Sequence, residues 1–159
     1  MKMIKIMFVC HGNICRSPMA EFIMKKLLSD IGESDSFLVA SSATSTEEIW
    51  NGIGSPMHRG ATAELSKNGI PYTERRATLL LPSDYRNYDL FVCMDTRNLR
   101  NIKRIFPSDP DSKVKMLMDF AGRGGEVSDP YYTGDFEKTY RDIHDGCKGL
   151  IREILGKCK

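Results

Sequence analysis

Apolar and polar positions alternate along the chain in a way that predicts its secondary structure. The segment 4–9 is a nearly continuous apolar run, which is typical of a strand buried in a parallel sheet. Apolar residues then recur at helical spacing as far as Ile31, and Gly32 ends the predicted helix. We predict that Ser17 caps this helix and that Pro18 is its first residue, where the missing N–H costs nothing.

The rest of the chain repeats this alternation of strands and helices. Further strands are predicted at 37–42, 89–95 and 113–120, further helices at 57–68, 96–106 and 136–154, and long loops at 43–56 and 122–135. This order predicts one α/β domain, residues 1–159, in which a parallel sheet carries helices on both faces. Because ligands bind at the carboxyl ends of the strands in such folds, the loop after the first strand is a candidate site.

The composition is that of a globular protein without a nucleic-acid or membrane partner. Of the 159 residues, 41% are hydrophobic and 28% are charged, and the formal net charge is +2. Basic and acidic residues are mixed along the chain, which predicts no nucleic-acid-binding arm. Lys2 and Lys5 interrupt the first apolar run, so we expect no signal peptide, and no apolar stretch approaches the length of a membrane span. We therefore expect a cytoplasmic protein.

The cysteines are better explained as thiols than as a disulfide framework. There are five of them, an odd number at uneven spacing: Cys10, Cys15, Cys93, Cys147 and Cys158. Thiols are the usual state in a reducing compartment. Cys10 and Cys15 lack a second pair at ligand spacing, which argues against a zinc module.

The loop CHGNICRS, residues 10–17, is suited to binding an anion. It leads into a predicted helix, whose free N–H groups and dipole favour negative charge. Gly12 and Asn13 tolerate left-handed backbone conformations, so successive amides can curl around one anion. Arg16 adds a planar fork that matches two phosphoryl oxygens. The same features stabilise a thiolate at Cys10, which could attack a bound phosphate in line and form a phosphocysteine intermediate.

Other phosphate-binding loops fit this segment less well. No Gly-Lys-Ser/Thr follows it, as in a nucleotide P-loop, and the dinucleotide pattern G-x-G-x-x-G is missing. The spacing Cys-x5-Arg alone is common by chance, but here it follows a buried strand and precedes Ser-Pro and a helix. A merely structural Cys10 with a surface Arg16 would leave Gly12, Asn13 and the helix start unexplained together.

Three segments resemble a single protein family over nearly the whole chain. VCHGNICRSPMAE (9–21) resembles the signature of the low-molecular-weight protein-tyrosine phosphatases. FVCMDTRNLR (91–100) resembles a family segment that we interpret as a helix cap made by Asp95 and Asn98, and DPYY (129–132) resembles the family's acid loop. The resemblance implies a three-layer sandwich with a four-stranded parallel sheet, no metal and no organic cofactor.

The reaction also needs a proton donor. Breaking a P–O bond leaves an alkoxide or phenolate, which a carboxylic acid must protonate. Asp129 is the candidate because it lies in a loop that Pro130 stiffens, although an aspartate before proline is also common in solvated turns. The resemblance assigns Asp129 this role and that of the base that activates water in the second step. Arg16 would follow the equatorial oxygens as charge redistributes.

Aromatic residues in polar loops are candidates for walls around a substrate ring. Tyr131 and Tyr132 are adjacent, and they either form such a wall or pack at the edge of the core. Trp50 is the only tryptophan, and it either anchors its own loop or forms the opposite wall. The resemblance places an aromatic residue at about this point.

The remaining residues of the loop are expected to surround the phosphate. These substrate-binding positions are His11, Gly12, Asn13, Ile14, Cys15 and Ser17. The resemblance makes Ser42 a supporting serine at the end of the second strand, although it could equally cap its own turn. The chain departs from the family in GIPYTERRATLL (69–80), where Glu74 replaces a histidine of a His-x-Ala-Arg segment.

Alternative functions on the same scaffold remain open at this stage. A sister branch hydrolyses phosphoarginine and tends to have threonine where Ile14 stands, and the tyrosine pair also favours an aryl substrate. Arsenate reduction needs a relay of extra cysteines, and residues 70–90 contain none. A non-catalytic module for phosphorylated ligands would need neither Cys10 nor Asp129.

The preferred interpretation is a protein-tyrosine phosphatase. Its partners would be a phosphotyrosine-containing protein or a small aryl phosphate, with inorganic phosphate as product and competitive ligand. Since the loop must curl around one phosphate, Cys10 and Cys15 should face each other across a short chord. A sulfenic acid at Cys10 could then be captured by Cys15 as a disulfide, although Cys15 could equally be only a small residue of the loop.

Overall fold

The computed structural model describes residues 2–157, and Cys158 lies outside them. The elements follow in the order β1 (Ile4–Cys10), α1 (Arg16–Asp30), β2 (Phe37–Ala43), β3 (Ile49–Trp50), β4 (Ile53–Gly54), α2 (Arg59–Lys67), β5 (Leu90–Cys93), α3 (Thr96–Ile105), β6 (Val114–Met116), α4 (Pro130–Thr133) and α5 (Phe136–Lys157). Four strands form a parallel sheet in the order β2-β1-β5-β6, and β3 pairs with β4 in a separate antiparallel hairpin. The predicted fold class is confirmed.

Strand β1 is buried on both faces, which explains its continuous apolar run. Ile6 and Phe8 belong to the larger core cluster, which also contains apolar residues of α1 and α5. Met7 and Val9 belong to a smaller cluster on the opposite face, with residues of α3. Because side chains alternate along a strand, Cys10 lies on the same face as Phe8 and therefore points toward α1.

The sheet topology places the loop after β1 in a crevice. Strand β1 lies between β2 and β5. After β1, the chain first forms β2 on one side of it and only later forms β5 on its other side. Such a reversal separates the loops at the carboxyl ends of the two neighbouring strands and opens a binding crevice between them. Residues 11–15 follow β1 at this end, and Asp95 follows β5 beside them.

The start of helix α1 differs from the prediction. The helix begins at Arg16 with Cys15 in the N-cap position, and the Cys15 side chain makes no capping hydrogen bond. Ser17 is therefore not the N-cap but a buried residue of the first turn, because its hydroxyl is engaged by Cys10 and Asn13 instead. The C-terminal end fits the prediction: Gly32 has a φ of 74° and donates its N–H to Ser29.

The predicted strand at 113–120 is too long. Strand β6 pairs only with β5, which has four residues, and it ends at Met116 where its partner ends. A short 3₁₀ helix, Leu117–Asp119, continues the chain and buries Leu117 and Met118 in the same core cluster, whereas consecutive residues of a strand point to opposite faces.

Both long predicted loops contain small elements. The β3–β4 hairpin turns at Asn51 and Gly52, which both have positive φ. Asn-Gly is a strong hairpin signal in a sequence, and the sequence interpretation missed it. The four-residue helix α4 lies in the second loop. Among the described residues, no helix combines the length and the apolar character that crossing a membrane requires.

Candidate active site

The Cys10 sulfur lies at the centre of the loop that follows β1. Its Sγ atom accepts hydrogen bonds from the backbone N–H of Asn13 at 3.3 Å and of Ser17 at 3.4 Å. The Ser17 Oγ lies 3.0 Å from the same sulfur. Two amides and a hydroxyl therefore surround the Sγ atom, and such donors stabilise a thiolate.

Asn13 holds the loop in shape. It is fully buried with a φ of 59°, a left-handed conformation that asparagine tolerates better than most residues. Its Nδ2 donates to the Ser17 Oγ at 2.7 Å and to the Ser41 Oγ at 3.1 Å, and its Oδ1 accepts the N–H of Thr78 at 3.1 Å. Because the Ser17 Oγ accepts from Asn13, its own hydrogen is left to point at the Cys10 Sγ.

The supporting serine on β2 is Ser41, and the assignment of Ser42 to this network is corrected. Ser41 accepts from Asn13 and donates to the Glu21 Oε1 at 2.7 Å. Ser42 is buried, and its Oγ has no hydrogen-bond partner among the described residues. Strand alternation gives the reason: Ser41 pairs with Phe8 and shares the α1 face, whereas Ser42 pairs with Val9 and faces the opposite side.

Arg75, the residue after Glu74, supports the loop directly. One of its guanidinium nitrogens donates to the Asn13 carbonyl at 2.6 Å, and the other donates to the Asn13 Oδ1. Burial lowers the pKa of Arg75, and the charges of Glu21 and Cys10 partly offset this effect. The sequence interpretation noticed Glu74 but missed its neighbour. The available signal was Arg75 itself, a side chain with hydrogen-bond donors one residue after Glu74.

Arg16 is a buried cation held by acceptors on two loops. Its side chain donates to the Asp95 Oδ2 at 2.7 Å and to the Val127 carbonyl at 2.9 Å. A longer contact of 3.4 Å reaches the Asp129 Oδ2. Burial alone would lower the pKa of Arg16, but the charges of Cys10, Asp95 and Asp129 raise it above its ordinary value.

Asp95 therefore does more than cap a helix. The predicted cap is present, since its carboxylate accepts the Asn98 N–H at 2.8 Å at the start of α3. The other carboxylate oxygen binds Arg16, which fixes the guanidinium relative to the sheet. A residue interpreted as structural thus also orients a candidate catalytic group.

Asp129 lies at the edge of the cleft, next to Arg16. It is the N-cap of α4, and its Oδ1 accepts the Tyr131 N–H at 3.1 Å. Its side chain keeps 26% of its exposure, so the carboxylate is anchored but reachable. An anchored and partly exposed carboxyl group beside a bound phosphate is placed to exchange a proton with a leaving group or with water.

These side chains line an open cleft of about 160 Å³. The cleft is lined by the following residues of the predicted site: Cys10, His11, Gly12, Ile14, Cys15, Arg16, Asp129, Tyr131 and Tyr132. Glu47 and Glu48 line it as well and were not predicted. Asn13 and Ser17 support the floor from behind. Trp50 is 76% exposed on β3 and is not among the lining residues, so its role stays a prediction.

Cys15 lies in the same cleft but in a different electrostatic setting from Cys10. It is buried, and this burial, together with the negative charges of Cys10 and Asp129, raises the pKa of its thiol well above the ordinary value. Cys15 therefore stays protonated. Cys93 and Cys147 are buried elsewhere, and burial raises the pKa of both thiols as well.

His11 closes one end of the cleft. Its Nε2 lies 2.9 Å from the Glu47 Oε2, 3.2 Å from the Ser45 Oγ and 3.3 Å from a guanidinium nitrogen of Arg97. Within residues 2–157, no three or more His, Cys, Asp or Glu side chains are grouped so that they could hold a metal ion.

The comparisons with known proteins agree with this geometry. Residues 5–159 match the family described as "Low molecular weight phosphotyrosine protein phosphatase". The chain is 40% identical over 153 residues to the low molecular weight protein-tyrosine-phosphatase PtpA of Staphylococcus epidermidis, a match that covers 96% of this chain and 95% of the relative.

Solved structures show the same fold. YfkJ from Bacillus subtilis superposes with a TM-score of 0.92 at 32% identity, over 100% of this chain and 99% of that one. A low molecular weight protein tyrosine phosphatase from Streptococcus pyogenes superposes with a TM-score of 0.83 at 37% identity, over 95% and 93%. The chain belongs to the low molecular weight phosphotyrosine protein phosphatase family, and the prediction of a phosphatase is confirmed.

Proposed function

We propose that this chain, as a single domain, hydrolyses phosphotyrosine in proteins, and small aryl phosphates, through a phosphocysteine intermediate. The observation that carries the proposal is the placement of the Cys10 Sγ, which accepts two backbone N–H groups in a loop whose mouth holds Arg16 and Asp129. A phosphate bound in this loop would present its phosphorus to the sulfur and its ester oxygen to Asp129.

In the first step, the Cys10 thiolate attacks the phosphorus. The S–P bond forms while the P–O bond to the leaving group breaks, and protonated Asp129 gives its proton to the departing oxygen. The equatorial oxygens gain hydrogen bonds from the loop amides and from Arg16. This cation is already fixed by Asp95 and Val127, so it need not reorganise during the reaction.

In the second step, water attacks the phosphocysteine. Asp129, now ionised, accepts a proton from the water, the S–P bond breaks, and its electron pair returns to Cys10 as the thiolate. The products are inorganic phosphate and the starting enzyme, so the reaction is balanced without a metal or an organic cofactor. Inorganic phosphate fits the same loop and should compete with the substrate.

The cleft supports an aryl substrate over phosphoarginine. Tyr131 and Tyr132 stand at its mouth with their ring centroids 5.3 Å apart and their planes at 79°. A phosphorylated phenol that reaches Cys10 would place its ring against them. Ile14 lines the cleft where the phosphoarginine branch tends to have threonine. Changing Ile14 to threonine should shift the ratio of rates toward phosphoarginine.

The decisive experiment measures turnover of para-nitrophenyl phosphate under reducing conditions with a chelator present. We expect turnover by the wild-type protein and none by Cys10→Ser, which keeps the anion loop but lacks the nucleophile. Cys10→Ser should still bind inorganic phosphate in a calorimetric titration. Substantial turnover by this variant would refute the phosphocysteine mechanism, and a chelator-sensitive activity would refute the metal-free reaction.

The paired cysteines of the cleft extend this proposal to redox control. Peroxide would oxidise the Cys10 thiolate to a sulfenic acid, and the Cys15 sulfur would then displace the sulfenic hydroxyl to form a disulfide, while that hydroxyl and the thiol proton leave as water. The mechanism needs Cys10 reduced, which supports a place in the cytoplasm, where thiols are kept reduced.

A further inference from the structure

A second groove adjoins the active-site cleft and shares His11 with it. The groove encloses about 440 Å³ between the Thr44–Ser45 segment after β2 and one face of α3. Its α3 wall carries Arg97, Arg100 and Arg104. Arg97 lies against the shared residue, with a guanidinium nitrogen 3.3 Å from the His11 Nε2. The groove is therefore continuous with the site that would hold the phosphate.

The three arginines form one positively charged row. Residues three and four apart lie on the same side of a helix, so Arg97, Arg100 and Arg104 project together. All three are exposed. No carboxylate of residues 2–157 forms an ion pair with any of them. The row thus presents its charge to solvent and to whatever enters the groove.

The nearby carboxylates form hydrogen bonds or ion pairs with residues outside the arginine row. Asp95 binds Arg16, and Glu126 accepts both the N–H and the hydroxyl of Thr96. Glu47 contacts His11 at 2.9 Å, at the end of the groove that meets the cleft. None of these acids neutralises the arginine row.

Helix stability does not explain the whole row. Arg104 lies in the last turn of α3, where a cation interacts favourably with the helix dipole. Arg97 lies in the first turn, where a cation is unfavourable for the same reason. An anion bound in the groove would give Arg97 a partner that the helix itself does not provide.

The length of the row sets the size of the ligand. Arg97 and Arg104 are seven residues apart, which corresponds to about 10 Å along a helix. An extended peptide covers this distance with about three residues. Among the residues that the structure describes, no phenylalanine, tyrosine or tryptophan lines the groove, so these residues provide no stacking platform of the kind that single-stranded nucleic acids use. Charge and length together favour a short acidic peptide segment.

We propose that this groove binds acidic side chains that flank the phosphotyrosine of a protein substrate, on one side only and within about the first four residues. The proposal rests on the proposed function, since it takes the phosphotyrosine to occupy the adjoining cleft. The groove would then select among phosphotyrosine sites, while the reaction itself is carried out in the cleft.

The test compares three phosphotyrosine peptides of equal length, with three aspartates before the phosphotyrosine, three aspartates after it, or asparagines on both sides. For the wild-type protein we expect one aspartate peptide to exceed the neutral one by ~5–10-fold in kcat/KM, which corresponds to a few exposed ion pairs. The other aspartate peptide should behave like the neutral one. Salt should reduce the preference because exposed charges are screened.

Two double variants with the same loss of charge locate the effect. Arg100→Gln/Arg104→Gln removes two charges from the groove and should abolish the preference. Lys103→Gln/Lys148→Gln removes two exposed charges from outside the lining and should preserve it. Turnover of para-nitrophenyl phosphate should be unchanged in both, because this substrate is too small to reach the groove.

Three results would overturn the proposal: no wild-type preference, equal preference for both aspartate peptides, or an equal loss in the two double variants. Fluorescence anisotropy with labelled peptides on a Cys10→Ser background measures the same ordering without turnover. Peptides that bind in the expected order but are never hydrolysed by the wild-type enzyme would refute the proposed function and leave the groove supported. Hydrolysis without any ordering would do the reverse.

Discussion

The proposed phosphate-binding loop, residues 10–17, and the proposed acid loop, residues 128–134, each form a wall of one cleft, and the chain holds them very differently. In the first loop Asn13 and Ser17 are fully buried and Arg16 is 2% exposed. In the second, Tyr131 and Tyr132 are 59% and 72% exposed. The hydrogen bonds of Asn13 and Arg16 reach several distant segments, whereas α4 is a four-residue helix stabilised mainly by its own cap.

The difference in burial indicates that the two loops have different roles. In the proposed reaction, the buried loop would fix the donors that stabilise charge on sulfur and on phosphate, and fixed dipoles act best where charge develops during a reaction. The exposed wall can adjust to different substrate groups, because few contacts restrain it. Substitutions of Asn13, Arg16 or Ser17 in the buried loop, and of the residues that support them, should therefore lower kcat for every substrate. Substitutions in the exposed wall should change the ranking of substrates.

Asp129 is the exception in the second wall, and its substitution should have the largest effect there. Asp129→Asn keeps the size of the side chain and an acceptor for the Tyr131 N–H but has no proton to give. We expect kcat for phosphotyrosine to fall by ~10²–10⁴. The loss should be smaller for para-nitrophenyl phosphate, whose leaving group needs less protonation. An equal loss across a series of leaving groups would mean that Asp129 is structural.

Arg75 should show how strongly the buried loop depends on its supports. Arg75→Met removes both donors to Asn13 and should lower kcat by ~10–10² through misplacement of the Asn13 and Ser17 groups around sulfur. Arg75→Lys, which keeps one donor, should recover part of the loss. Arg59→Met, an exposed arginine at the start of α2, is the matched control. A loss that follows only the melting temperature, without a change in kcat, would contradict this positioning role.

The sequence was sufficient for the parts of the site that are local along the chain. Cys10, Arg16 and the start of α1 lie within a few residues, so their spacing together with the preceding apolar strand and the following Ser-Pro indicated an anion loop. Asp129 could be placed because DPYY is itself a short motif. The predicted sheet followed from apolar runs in the same way, since β1 is buried on both faces and therefore has no polar alternation.

The supports were not predictable because they depend on which face of a strand or loop meets the active site. Ser41 and Ser42 are equivalent in the sequence, and only the register of β2 against β1 places Ser41 toward Asn13. Arg75 reaches Asn13 across 62 positions in the chain. The strand at 113–120 was overestimated for a similar reason, because its length is set by its partner β5.

Substitutions in the exposed wall should have smaller and substrate-dependent effects. Tyr131 has some support, since its ring contacts His58, which stacks on Phe136 at 5.1 Å. Tyr131→Ala and Tyr132→Ala should each lower kcat/KM for aryl phosphates by about 2–10-fold, which corresponds to the free energy that one aromatic contact usually contributes. An alkyl phosphate, which has no ring to place there, is the control substrate. Equal losses on both substrates would show that the tyrosines support the loop and do not contact the ring.

The smallest effect on basal turnover is expected at Cys15, although this residue lies in the buried loop. One thiolate is sufficient for the attack, and the raised pKa of Cys15 keeps its thiol protonated. Cys15→Ser should therefore hydrolyse para-nitrophenyl phosphate at nearly the wild-type rate. Its effect should appear after oxidation, because a sulfenic acid at Cys10 would then lack the nearby thiol that forms a reducible disulfide.

We expect peroxide to inactivate both proteins, bound phosphate to slow the loss in both, and dithiothreitol to restore the wild-type enzyme far more completely than Cys15→Ser. Cys93→Ser is the matched control, since Cys93 is a buried thiol on the other face of the sheet. It should recover like the wild type. Mass spectrometry of the oxidised wild-type protein should show a peptide that links Cys10 to Cys15. A link from Cys10 to another cysteine, or full recovery of Cys15→Ser, would show that the buried loop protects its nucleophile in some other way.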